Sequence, residues 1–123
     1  MKRLYAFRGA IDVASDDEQL IVEAVKELYD TFLSRNEVTT DDMVSINFTV
    51  TSDLRTLNPA TALRRSFTHL QVPLFCMAEA EIDHMTERTI RVMIYFYAKE
   101  GYKVKHAYLG TSGQLRPDLN SLS

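Results

Sequence analysis

The most apolar run of the chain, Thr89-Ile90-Arg91-Val92-Met93-Ile94-Tyr95-Phe96-Tyr97-Ala98, lies between charged sequence on one side and Lys99-Glu100-Gly101 on the other. β-branched and aromatic residues dominate it, so it reads as a mostly buried strand, around which a sheet has to be built. One residue does not fit that reading. Arg91 carries a permanent positive charge, and a guanidinium taken out of water without a partner costs at least several kcal/mol, so an anion must meet it there. Two kinds of anion satisfy the requirement: a carboxylate of the chain itself, or a bound ligand.

The chain has 123 residues, of which 46% are hydrophobic and 25% charged, which suits one soluble globular domain and not a disordered segment. A domain of that size buries about two-thirds of its unfolded surface without disulfides or metals. One cysteine, Cys76, allows no internal disulfide and fits a reducing compartment, and the three histidines stand apart with no ligand spacing, so no metal site is expected. No stretch is long and apolar enough to span a membrane, and Met1 to Phe7 holds no signal segment. The expected location is the cytoplasm. Fourteen Lys and Arg against 17 Asp and Glu give a net charge of −3 with no basic block, so nucleic acid is not an expected partner. A small anion needs only a local group of arginines, and Arg8, Arg64, Arg91 and Arg116 are available for one.

Along the chain, Leu4 to Ala10 reads as a first strand, with Arg8 near its end and Gly9 permitting a bend or a close approach. Ser15-Asp16-Asp17-Glu18 has the form of a capping box, after which Leu20, Ile21, Ala24, Val25, Leu28, Phe32 and Leu33 recur at helical spacing. That predicts a helix of about 19 residues whose apolar stripe covers a sheet face. Thr39-Thr40-Asp41-Asp42 opens a short turn or helix, and Met43 to Thr51 alternates as a second strand with Val44, Ile46, Phe48 and Val50 on one face. Asn58-Pro59 looks like an N-cap followed by proline at the first helical position, so a short helix is expected through about Phe67, carrying Arg64 and Arg65. Gln71 to Met77 is the third strand, placed at an edge by Pro73. Ile82 to Arg88 connects to the Arg91 strand, and Tyr102 to Leu109 is expected as a fifth strand. From about Gly110 to Ser123 the Gly- and Ser-containing tail is expected to be mobile, within a single domain covering residues 1–123.

Polar residues recur at strand ends or inside apolar strands in a fixed order: Arg8-Gly9-Ala10, Pro59-Ala60 with Arg64, Cys76-Met77-Ala78-Glu79, Ile90-Arg91-Val92-Met93, and His106-Ala107-Tyr108-Leu109 followed by Leu115-Arg116-Pro117-Asp118. In order and almost in spacing, from Arg8 to about Leu119, this set resembles the monofunctional AroH-type chorismate mutases. The resemblance implies an α+β subunit, a mixed β-sheet with helices on one side, assembling as a pseudo-barrel trimer with active sites between adjacent subunits. It also implies the Claisen rearrangement of chorismate to prephenate on the route to phenylalanine and tyrosine, a unimolecular step that needs no nucleophile, cofactor or proton shuttle. That agrees with a sequence showing no catalytic triad, phosphate loop or metal motif.

Carried over position by position, the resemblance implies that Arg91 donates to the ether oxygen where negative charge develops. Arg8, helped by the Tyr108 hydroxyl, would pair with a substrate carboxylate. Glu79 would accept from the ring hydroxyl, and the salt-bridge role of Glu79 toward Arg91 is compatible with that. Cys76 would make a weak polar contact at the same hydroxyl; read alone, it is a small core residue. Arg64 would reach the site from a neighbouring subunit, with Ala60, Asn58, Thr61 and Phe75 on the substrate side and Leu115 and Arg116 closing over from the tail; for Arg64 and Arg116 an ordinary surface position is the competing reading. The better-known members carry an aromatic and a lysine around the Pro-Ala pair, where this chain has Asn58 and Thr61. A second architecture-level reading is a non-catalytic trimer that binds a small carboxylate at the same interface, since fold alone does not fix function.

Overall fold

The computed structural model describes residues 1–111, and Leu115 and Arg116 lie outside the described residues. Strand β1 (Lys2–Asp12) is followed by helix α1 (Glu18–Arg35), a 3-10 turn (Thr40–Asp42), β2 (Met43–Val50), α2 (Pro59–Ser66), β3 (Leu74–Ala78), β4 (Thr89–Lys99) and β5 (Ala107–Tyr108). The five strands form one mixed sheet in the order β3-β2-β4-β1-β5. β4 pairs antiparallel with both β1 and β2, while the edge strands β3 and β5 pair parallel with β2 and β1.

The two helices form for the reasons their sequences suggest. Asp17 accepts the Leu20 amide at 3.0 Å and caps α1, and Asn58 accepts the Ala60 amide at 2.8 Å and caps α2, with Pro59 at the first helical turn. Ser15 is therefore not the cap. Its neighbour Asp16 accepts from the amides of Arg55 and Thr56 and from the Thr56 hydroxyl, tying the start of α1 to the loop before α2. Ile21, Ala24, Val25, Leu28, Tyr29 and Phe32 of α1 and Ala62 and Leu63 of α2 are buried in one cluster with alternate residues of the sheet. At its centre Phe7, Phe32 and Phe96 are fully buried, with ring centroids 4.7 and 5.7 Å apart. Burying one such side chain stabilises the fold by about 1.5–3 kcal/mol.

Strand β4 shows how the sheet divides. Ile90, Val92, Ile94, Phe96 and Ala98 point into the helix-covered core, whereas Arg91, Met93, Tyr95 and Tyr97 line the opposite face. The strand is buried on one side only, which corrects the reading of a mostly buried run; its open-face residues are apolar too, so composition hid the alternation.

Three element expectations change for similar reasons. A register irregularity between Met43 and Ser45 puts Met43 in the core and leaves Val44 exposed, so Val44 does not share a face with Ile46 and Phe48. β3 begins at Leu74, beyond Pro73, at the sheet edge. The fifth strand shrinks from Tyr102–Leu109 to Ala107–Tyr108 because Asn36, just past α1, takes over the bonding of the preceding segment. Its side chain accepts from the Lys105 amide and the Tyr102 hydroxyl and donates to the Lys105 carbonyl. A buried amide replaces a ladder there. No described helix is long and apolar enough to cross a membrane.

Candidate active site

The open face of the sheet carries one row of side chains set by register. Met77 of β3 stands opposite Thr49 of β2, Thr49 opposite Arg91 of β4, Arg91 opposite Ala10 of β1, and Ala10 beside Tyr108 of β5. Small residues on both sides of Arg91 leave space that bulkier neighbours would fill, and a concavity of about 600 Å³ opens there. Arg8, Asn47, Met93 and Tyr95, also on this face, complete its wall.

Arg91 meets an anion, as its position required. One Nη1 N–H donates to Oε2 of Glu79 at 2.6 Å, and Nη2 donates to the Thr86 hydroxyl at 3.3 Å. The side chain of Glu79 is 12% exposed and that of Arg91 40%, so the carboxylate is sheltered and the guanidinium reaches out into the concavity. Glu79 is fixed twice more: its amide donates to the Val50 carbonyl at 2.9 Å, and its Oε1 accepts from the Thr49 hydroxyl at 2.8 Å. The internal salt bridge and an open guanidinium thus coexist.

Arg8 leaves β1 on the same face, with no carboxylate within ion-pairing distance among the described residues. Its backbone N–H donates to Nδ1 of His106 at 3.0 Å, which leaves that nitrogen as an acceptor and ties β1 to the segment entering β5. Burial and then the nearby Arg8 charge hold the His106 imidazole below its usual pKa. Two guanidiniums, Arg8 and Arg91, therefore face one hollow that also holds the buried Tyr108. Such a site suits a ligand with two negative charges or one carboxylate and a developing oxyanion.

Other residues singled out in the sequence stand elsewhere in the single chain. Cys76 pairs with Phe48 and packs against the core cluster, on the face opposite the concavity, because side chains alternate along β3. Burial raises its thiol pKa, which disfavours the thiolate a nucleophile needs. Phe75 lies on the open face but outside the concavity, 60% exposed. Asn58 is the cap of α2, and Ala60, Thr61 and Arg64 ride on that helix, which packs on the covered side of the sheet. One chain does not bring them to Arg91. Thr49, Thr86 and Asn47 belong to the site and were not singled out from the sequence. The signal for two of them was present, since Asn47 and Thr49 are the polar positions in the alternation of β2. Among the described residues, no group of three or more His, Cys, Asp or Glu is placed to hold a metal ion.

Comparison with known proteins gives a consistent picture. The family described as Chorismate mutase type I matches residues 4–119. Chorismate mutase AroH of Bacillus subtilis is 32% identical over 114 residues, covering 92% of this chain and 90% of that protein. Chorismate mutase AroH of Thermus thermophilus is 35% identical over 116 residues, covering 93% and 94%. Among solved structures, a chorismate mutase from Clostridium thermocellum superposes with a TM-score of 0.81 at 33% identity, covering 89% of this chain and 98% of that one.

Proposed function

The chain belongs to the chorismate mutase type I family, and we propose that the open face of its sheet carries out the rearrangement of chorismate to prephenate in aromatic amino acid biosynthesis. The enzyme is an isomerase: within one molecule the ether C–O bond breaks while a new C–C bond forms, and no proton is transferred. Nothing has to be activated. The protein's task is to hold a compact conformer of a dianion and to stabilise charge that appears on the ether oxygen.

The observation that carries this reading is Arg91, held by Glu79 on one edge and open to the concavity between the small side chains of Ala10 and Thr49. In this reading its remaining N–H groups donate to the ether oxygen as the bond stretches. A fixed donor in a sheltered site is worth roughly 3–4 kcal/mol in comparable oxyanion cases. Arg8 pairs with a substrate carboxylate with the Tyr108 hydroxyl beside it, and Glu79 accepts from the ring hydroxyl. Both arginines sit where a dianion would neutralise them.

We further propose a homotrimer with sites shared between subunits. Two observations support it. Leu4, Phe75, Met77, Tyr95 and Tyr97 leave a largely apolar sheet face exposed at 52, 60, 47, 37 and 45%. Asn58, Ala60, Thr61 and Arg64 lie on the other side of their own sheet, so they contribute to a cleft only from a neighbour. The cytoplasm is the proposed location, consistent with the free thiol of Cys76.

The test is direct. Purified protein incubated with chorismate is followed by the loss of ultraviolet absorbance, with light scattering on the same sample. Turnover well above buffer by a trimer is expected. No acceleration would leave a carboxylate-binding protein in its place, and a fully active monomer would remove the shared site.

A further inference from the structure

Glu79 stands between two donors that pull its carboxylate in different directions. Oε2 takes a 2.6 Å bond from Nη1 of Arg91, and Oε1 takes a 2.8 Å bond from the hydroxyl of Thr49 on the strand opposite. A carboxylate free to turn would instead put both oxygens on the guanidinium, because the fork of arginine matches a carboxylate with two parallel bonds. That geometry would consume a second N–H of the Arg91 guanidinium. Among the described residues, Arg91 spends one N–H on Glu79 and one on Thr86, leaving the others of its five for a ligand.

We propose that Thr49 is a positioning residue: its hydroxyl keeps Glu79 single-pronged on Arg91, so that the guanidinium stays available to the developing charge of the rearrangement. Thr49 stands directly across the ladder from Arg91 and lines the concavity, which places its hydroxyl beside both groups. The inference rests on the reading of Arg91 as the donor to the ether oxygen. It adds a residue that orders the ion pair without forming part of it.

Kinetics of Thr49 variants decide it. Thr49→Val keeps shape and β-branching and removes the donor; Thr49→Ser keeps the donor. We expect Thr49→Val to lower kcat about tenfold, the lower end of what a hydrogen bond to a charged group is worth, with KM changed less than about twofold. Thr49→Ser should restore most of the loss. In a Glu79→Ala background the same Thr49→Val change should have no further effect, because the carboxylate it positions is gone. Thr49→Ala gives the same reading if the valine variant melts below the assay temperature. An unchanged kcat in both hydroxyl-less variants, a rise in KM alone, or an undiminished tenfold loss in the Glu79→Ala background would each overturn the proposal. Arg91→Ala, measured alongside, separates the two levels. If it is impaired while Thr49→Val is not, only the positioning role fails; if it is unimpaired, the reading of Arg91 fails with it.

Discussion

Replacing Arg91 perturbs two things whose sizes differ enough to be told apart. As an ion-pair partner, Arg91 neutralises a Glu79 side chain only 12% exposed, and breaking a buried pair from one side costs about 3–5 kcal/mol. Here the guanidinium is 40% exposed, so water screens the pair, and the cost is discounted to roughly 1–2 kcal/mol. In a chain of this size that lowers Tm by about 4–10 °C. As a donor to the ether oxygen, the same side chain supplies roughly 3–4 kcal/mol in the transition state, or two to three orders of magnitude in rate. Arg91→Ala should therefore lose kcat by about that factor at a temperature where circular dichroism shows it folded. KM should move much less, since developing charge exists only in the transition state. Arg91→Lys should recover the ion pair and most of the Tm, yet only part of kcat, because an ammonium lacks the planar fork. Both should keep a flat pH profile near neutrality, since the reaction moves no proton. A folded Arg91→Ala with near-normal kcat would make Arg91 a structural residue and end the mechanism.

Arg8→Ala should raise KM and lower kcat together, since a carboxylate contact is made in the ground state as well; steady-state kinetics with neither parameter altered would exclude Arg8 from the site. Gly9→Ala would place a Cβ 3.0 Å from Leu28 Cδ1 and Phe7 Cε2 and 3.1 Å from the Ala107 carbonyl oxygen. Overpacking of that kind costs about 1–3 kcal/mol and should show as a lower Tm, so an unchanged melt would refute it. His106, held below the usual imidazole pKa by burial and the nearby Arg8 charge, remains neutral in the fold after the unfolded chain has begun to take up a proton. Its contribution to stability is complete above that usual value and is lost as pH falls through it toward the folded value. Urea unfolding at neutral and mildly acid pH should thus show a smaller acid loss in His106→Gln than in the parent; equal losses would contradict the assignment.

What the sequence made legible follows the strength of local signals. Asn58-Pro59 and the spacing from Leu20 to Leu33 locate both helices because caps and a 3.6-residue period are properties of the segment itself. Which face a strand residue takes is decided by its partners, and there local reasoning fails. Leu74, Phe75, Cys76 and Met77 are all apolar or nearly so, and only pairing with β2 sends Cys76 to the core beside Phe48 and Met77 to the site beside Thr49. The same blindness applies to β4, where Tyr95 and Tyr97 look buried because the open face is itself apolar. Arg91 stood out as a charge in an apolar run. Its partner Glu79 and the Thr49 hydroxyl that bonds Glu79 come from separate strands, and although the alternation of β2 marks Thr49 as polar, only the pairing of the strands brings it to the ion pair.

The pairing of β1 with β4, from Lys2 against Lys99 to Asp12 against Thr89, fixes the order in which the molecule is assembled as well as its shape. β1 and β2 are never neighbours; β4 lies between them. During synthesis α1 and α2 can form locally, while two extended segments wait with unpaired edges for a strand that has not yet been made. Contacts so distant in sequence slow folding, and exposed edges invite pairing with other chains. For as long as residues 89–99 remain inside the ribosome, β2 can pair with β3 but β1 has no strand to pair with, and a fragment ending before them would hold the helices, the β2–β3 pair and a β1 with both edges open.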